Sequence, residues 1–403
     1  MTEVAEQPVT AFPVTRTCPY APPAAYAELR EHEPVSQVTT PAGKQAWVVT
    51  RHQDVRTVLS DPSFTADRRH PNFPFLNPGQ RAPGFNGKVS MISMDAPEHG
   101  RHRRAVLGEF TVRRMQALRP RIQEIVDECL DAMAAGPRPA DLVGALALPV
   151  PSLVICELLG VPYSDHDFFQ ERTATLLNRT TPNEVRQQNF QELQDYLDQL
   201  VTSKERNPGE DLLSRQVLKQ REDGFRDHDD LVAMAALLLI AGHETTANMI
   251  SLGTLTLLRN PGQLAALRED PSRTPAAVEE LLRLLTIVET VTSRVALTDI
   301  EVGGTLIRAG EPVIALGHTA NHDPAAFTDP DTFDPDRSAR THVAFGYGPH
   351  QCLGQNLARM ELQIVFDTLF ARFPTLALAA PEESLQYKDD AVIYGMHSLP
   401  VTW

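Results

Sequence analysis

The chain has 403 residues and only four cysteines, at Cys18, Cys129, Cys156 and Cys352. They are too few and too scattered for the disulfide framework of a small secreted domain, and they suit a reducing compartment. Long hydrophobic runs are also lacking. The longest, Leu231 to Gly242, is about twelve residues between acidic flanks, too short by itself to span a bilayer. Met1 to Thr15 has neither the basic nor the apolar region of a signal peptide. Positive charge is scarce: 37 basic against 52 acidic residues leave a net charge of −15. That balance repels nucleic-acid phosphates and anionic lipid, so neither is an expected partner. These absences leave a soluble cytoplasmic protein. With 42% hydrophobic, 22% charged and 6% aromatic residues it can bury a full core.

One local exception to the acidic balance runs from Arg101 to Arg121, where Arg101, Arg103, Arg104, Arg113, Arg114, Arg119 and Arg121 face a single acid, Glu109. The 32 prolines thin out in the middle of the chain, which reads as helical from about Arg103 to Leu285, broken at Pro120, at Pro149-Val150-Pro151 and at Pro162. The longest predicted helix runs from Asp229 or Asp230 to Asn260-Pro261, roughly 45 Å at about 1.5 Å per residue. Before it, Val35 to Thr39 and Gln45 to Thr50 flank a Pro41-Ala42-Gly43 turn as a hairpin, and Pro71 to Gly87 is an irregular stretch. After Arg294 come short strands, with a turn at Gly303-Gly304 and a neighbouring strand Pro312 to Leu316. A meander from Asn321 to Arg337 follows, then a glycine-rich loop at 345–354 and a last helix. The expectation is a mainly α chain with a minor β region. It forms one domain over 1–403, with a β-rich lobe at about 30–60 and 294–320 and a helical lobe at about 100–285.

Three segments carry chemistry. Cys352 lies among Gly346, Gly348 and Gly354, just before a helix N-terminus. Helix dipole and converging amides lower a thiol's pKa there, which suits a nucleophile or a metal ligand. The commoner fate of a cysteine is structural burial, and that reading is given to Cys18, Cys129 and Cys156. In Ala241-Gly242-His243-Glu244-Thr245-Thr246, an acid and two threonines sit mid-helix where burial disfavours them. The plain alternative pairs Glu244 with a base and back-bonds Thr245 to a carbonyl. Glu280-Leu281-Leu282-Arg283 places opposite charges at i and i+3, by itself a solvated surface pair. Gly346-Tyr347-Gly348 starts a dinucleotide-type GxGxxG but fails at Gln351, and no strand-then-helix frame surrounds it.

Taken together, Phe345, Gly346, Gly348, His350, Cys352 and Gly354 resemble the haem-ligand loop of the cytochrome P450 family. Ala241 to Thr246 resembles that family's oxygen-activating helix, and Glu280 with Arg283 its ExxR element. The resemblance implies haem b (iron protoporphyrin IX) between the long helix and the Cys-loop helix, with Cys352 as the metal ligand. It implies propionate contacts at His99, Arg103, Arg294 and His350, a close helix approach at Gly242, proton delivery by Glu244 and Thr245, and a structural network of Glu280, Arg283 and Arg337. His322 departs from the arginine that related sequences often carry after the meander's asparagine.

The implied activity is monooxygenation of a hydrophobic small molecule, by hydroxylation or epoxidation, with a ferredoxin and its reductase supplying electrons to a monomer. The arginine cluster, with Arg359, is the candidate docking face. A peroxide-using haem peroxygenase and a non-catalytic haem sensor or carrier are the alternatives. Substrate contacts are expected from Pro71 to Gly87, from the segment around Phe168 to Asn189, and from Ile287, Val288, Glu289, Thr292, Val392 and Ile393, with Glu289 or Thr292 as polar anchors.

Overall fold

The computed structural model describes residues 12–76, 84–85, 87–290 and 292–403. Most of them are helical, and the expected irregular stretch Pro71 to Gly87 lies partly outside the described residues. The helix Val112–Ala135 is capped by Thr111, whose Oγ1 accepts the Arg114 N–H. It runs straight through Pro120, where the sequence predicts a break. A mid-helix proline costs about 3 kcal/mol. Met115, Ile122, Ile125, Val126, Leu130 and Met133 are all buried along one face of this helix. At about 1.5–3 kcal/mol per large apolar side chain, their burial outweighs the proline. Pro149 and Pro151 likewise begin a helix, Pro149–Leu159, because amides in a first turn have no intrahelical partner to lose.

The long central helix is two helices, His228–Gly242 and Glu244–Arg259, meeting at His243. Its cap is Asp227, whose Oδ1 accepts the Asp230 N–H at 3.1 Å. The interruption has a local cause. His243 Nδ1 contacts Leu239 O at 2.8 Å and Thr245 Oγ1 donates to Ala241 O at 2.9 Å, so side chains occupy two carbonyls of the helical ladder. The combined stretch is long and apolar enough to cross a bilayer, yet it runs through the hydrophobic core among Val154, Leu281 and Val365.

The main sheet has five strands, in the order Val35–Thr39, Gln45–Val49, Pro312–Ala315, Ser293–Ala296 and Phe64–Thr65. The first two form the expected hairpin, and Pro312–Ala315 lies parallel to Gln45–Val49. Gly303-Gly304 turns between Ile300–Val302 and Thr305–Ile307. A second hairpin near the C-terminus, closed by a bridge between Tyr387 and Met396, also bridges Val288 through Ile393 and Asn178 through Ala391. The Cys352 loop is closed by Cys352 N–H donating to Phe345 O at 2.8 Å. At Gly348 (φ +71°) a Cβ would lie 2.7 Å from Leu59 O, so only glycine lets this loop press against the neighbouring helix His52–Ser60.

Candidate active site

Beneath the loop lies a buried ion network. Arg283 donates from Nε to Glu280 Oε2 (2.8 Å) and from Nη2 to Oε1 (2.7 Å), both residues being 0% exposed. Its Nη1 donates to Asn321 O at 2.8 Å. Arg337 Nε reaches Glu280 Oε1 at 3.2 Å, and the Asp334 N–H donates to the same oxygen at 3.1 Å. The pair is therefore not the solvated surface pair that the i, i+3 spacing alone suggests. His322 spans Asp331 Oδ1 (2.7 Å) and Leu284 O (2.9 Å), tying the meander to the end of the helix Thr274–Leu285. Asn321 Oδ1 accepts the Val343 N–H at 2.8 Å, which carries the network to the start of the cysteine loop.

Cys352 is half-buried. Burial pushes its thiol up, against the amides of Gly354 and Gln355 and the guanidiniums of Arg103 and Arg359, which pull it down. The expectation that the loop alone favours a thiolate is thus reversed: desolvation wins, and a bound cation is the partner that would tip the balance. Cys129 and Cys156 are buried as expected, with thiols pushed up to about 11 and about 12, whereas Cys18 is exposed.

The central helices show an open stripe in an otherwise buried surface. Met234, Leu237, Ile240, Gly242 and Thr245 are partly exposed and Ala241 is exposed. Gly242 itself packs against the helix Pro149–Leu159, since a Cβ there would meet Ile155 Cδ1 at 2.9 Å. The small residue on the open side is Ala241, which corrects the expectation for Gly242.

Five basic side chains converge next to Cys352. The rings of His99 and His350 lie 4.0 Å apart, and Arg103 Nη2 donates to Gln351 O at 2.6 Å. Arg294 is 7% exposed, and among the described residues it donates only to its neighbour's carbonyl, Ser293 O. Arg68, which the sequence did not single out, joins them. Its field and that of Arg294 add to burial in pushing His350 down to about 3, and burial takes both guanidiniums down to about 10. Asp95, whose field acts on Arg294, is itself held by Thr65 and by the Ala66 N–H. Among the described residues no carboxylate lies within 4 Å of Arg68, Arg103 or Arg294. A half-buried cation nest without a paired carboxylate among the described residues fits the two carboxylates of haem, and the thiol and open stripe fit its iron and face. Arg294→Leu should therefore act with opposite signs. The haem-free protein should gain stability to urea, because an unpaired buried charge is gone, while the loaded protein should release haem to apomyoglobin at least about tenfold faster. If both properties fell together, the nest would be an ordinary structural cluster.

Glu244 is buried, and its Oε2 accepts from Lys388 Nζ (3.1 Å) and Asn248 Nδ2 (3.3 Å). Thr245 is back-bonded to Ala241 O, with no hydrogen bond to Glu244. Of the expected pocket residues, Ile287, Val288, Val392 and Ile393 are brought together by the C-terminal hairpin. The two expected polar anchors are already engaged: Glu289 Oε1 accepts from Thr319 Oγ1 near Arg16 and Arg179, and Thr292 Oγ1 donates to Ala315 O.

A family model described as cytochrome P450 matches residues 30–394. The chain is 52% identical over 393 residues to pentalenic acid synthase of Streptomyces avermitilis, covering 98% of this chain and 97% of that protein. It is 48% identical to vitamin D3 dihydroxylase of Streptomyces griseolus, with both chains covered in full. Among solved structures, cytochrome P450 MoxA from Nonomuraea recticatena is similar at TM-score 0.90 and 56% identity, with 98% of each chain covered. The mycinamicin VIII C21 methyl hydroxylase MycCI from Micromonospora griseorubida, bound to mycinamicin VIII, is similar at TM-score 0.92 and 43% identity, covering 98% of this chain and 100% of that one.

Proposed function

Because the chain belongs to the cytochrome P450 family, an oxidoreductase family of monooxygenases, we propose that it places one atom of dioxygen into a C–H bond or double bond of a hydrophobic small molecule. Cys352 holds the iron of haem b. His99, Arg103, Arg294 and His350, with Arg68 added, hold its propionates, and Phe345 and Gly354 shape the ligand loop. When bound, the haem supplies dioxygen activation, which a thiolate ligand favours by pushing electron density toward the iron. The protein's own part is to exclude water behind Ala241 and to pass protons along Glu244 and Thr245 toward the open stripe. The observations that carry this reading are a buried acid with an adjacent alcohol at an open turn of a core helix, and a Cys352 loop bordered by arginines that, among the described residues, have no carboxylate within 4 Å.

Thr245→Ala is expected to divert electrons to hydrogen peroxide at the expense of product, as measured by peroxide and product formed per reductant consumed. Unchanged coupling would leave Thr245 as a back-bonded helix residue. Reductant-dependent oxygen consumption separates this function from a peroxide-using peroxygenase and from a haem sensor or carrier.

Polyketide, terpenoid or sterol-like molecules are the substrate class, supported by the apolar pocket side chains Ile287, Val288, Val392 and Ile393 and by relatives that act on vitamin D3 and mycinamicin VIII. A ligand screen reading displacement of water from the haem tests it, and a preference for small polar ligands would contradict it. Residues 1–403 act as one domain and a cytoplasmic monomer, and a dimer mass by light scattering would contradict the latter.

Electrons come from a ferredoxin and its reductase. The support is a face where Arg101, Arg104 and Arg113 are exposed beside the apolar Leu107 (46% exposed) and Val112 (62%). Among the described residues none of these three arginines has an acid within 4 Å, whereas Arg114 pairs with Glu109, Arg121 with Glu124 and Glu157, and Arg359 with Glu279. Arg359 is thereby removed from the expected docking set. Arg113→Glu should slow ferredoxin-driven reduction and flatten its salt dependence while haem content stays normal. Equal rates and salt response in parent and variant would move the docking face elsewhere.

A further inference from the structure

The C-terminal hairpin bonds to several segments expected to contact substrate. Val392 N–H donates to Leu177 O, Arg179 N–H donates to Asp390 O, and Tyr394 N–H donates to Ile287 O, at 2.9, 2.7 and 2.9 Å. Its two arms are tied by Lys388 N–H donating to Gly395 O at 2.8 Å. At Gly395 a Cβ would fall 1.9 Å from Asn248 Oδ1, so the hairpin backbone rests directly on the helix Glu244–Arg259. From that hairpin Lys388 reaches the Glu244 carboxylate, the acid at the open turn. The side chain of Glu244 is 8% exposed and that of Lys388 20%, and among the described residues Lys388 is the one cation within 4 Å of Glu244. An exposed ion pair contributes little, but a pair this sheltered from water orients its carboxylate strongly.

We propose that Lys388 is a positioning residue for Glu244: the hairpin carries the cation that fixes the carboxylate, so a ligand pressing on Val392 and Ile393 draws Lys388 away from it. Held by Lys388 and Asn248, the carboxylate makes no hydrogen bond to Thr245, and displacement of the hairpin frees it to turn toward that hydroxyl. Proton delivery is thereby tied to occupancy of the pocket. This inference rests on the reading of Glu244 as a proton carrier, and it adds the element that governs when the carrier is released.

The test uses the ferric holoenzyme and clotrimazole, a bulky azole, as the probe. Without ligand, Lys388→Met and Glu244→Gln should each speed amide hydrogen exchange at Val392 and Tyr394 by about tenfold, and the double variant should add little to either. Lys388→Arg should restore protection. The Glu244 carboxylate stretch, isolated as the infrared difference between parent and Glu244→Gln, should shift in Lys388→Met and return in Lys388→Arg. Clotrimazole should shift it in the parent and leave it unmoved in Lys388→Met. Hairpin exchange unaffected by breaking the pair, additive effects in the double variant, or a band in the parent that ignores clotrimazole would each overturn the proposal. Should Lys388→Met fail to retain haem, Glu244→Gln breaks the same pair from the other side. None of these readings involves turnover, so they succeed or fail independently of the Thr245→Ala peroxide result.

Discussion

Arg283→Leu is expected to lower stability by about 3–5 kcal/mol and to leave little haem-loaded protein. The guanidinium is wholly enclosed and bridges both Glu280 oxygens to Asn321 O. Leucine fills much of its volume but strands the Glu280 carboxylate, whose remaining partners are Arg337 Nε and the Asp334 N–H. A buried carboxylate stripped of its bidentate partner, with Oε2 left without its donor, costs a large share of a typical domain's 5–15 kcal/mol. The loss should spread to the cysteine loop, because Asn321 receives Arg283 on its carbonyl and holds Val343 on its side chain. Urea denaturation and the ratio of haem to protein absorbance check this. A variant within about 0.5 kcal/mol of the parent, with full haem content, would show that the network does not support the loop.

The parts of the site that were legible in the sequence are those whose residues are close in the chain. Glu280 and Arg283 share one helical turn, and Cys352 lies in one loop with its glycines, so spacing alone exposes them. Lys388 is 144 residues from Glu244, and no local pattern marks it as that acid's partner. Arg68 sits in a basic run, Arg68-Arg69-His70, but only the folded chain brings it to Arg294 and His350. The main fold errors share one physical origin. Propensity predicts a break at Pro120 and one unbroken helix from Asp229 to Asn260, because it speaks for the backbone alone. Core burial along Val112–Ala135 overrides the first, and side chains bonding Leu239 O and Ala241 O override the second. The thiolate expectation failed similarly: amides and dipole are visible in sequence, while the desolvation that outweighs them depends on how the loop is packed.

Cys352→His is the other change of large effect, and it bears on the central claim. The loop around Cys352 is held by its own amide to Phe345 O and by Gly348 against Leu59. Neither contact needs the thiol, so the fold should persist. Cys18 is exposed, and Cys129 and Cys156 are buried in the hydrophobic core with raised thiol pKa values, so none of them offers a substitute ligand at this site. The deciding measurement is the absorption spectrum of the reduced, carbon-monoxide-treated protein, parent beside variant. A thiolate-type spectrum in the parent that is abolished in Cys352→His, with circular dichroism unchanged, is the predicted result. A thiolate-type spectrum that survives the substitution, or one that the parent never shows, would contradict the assignment of Cys352 as the haem ligand.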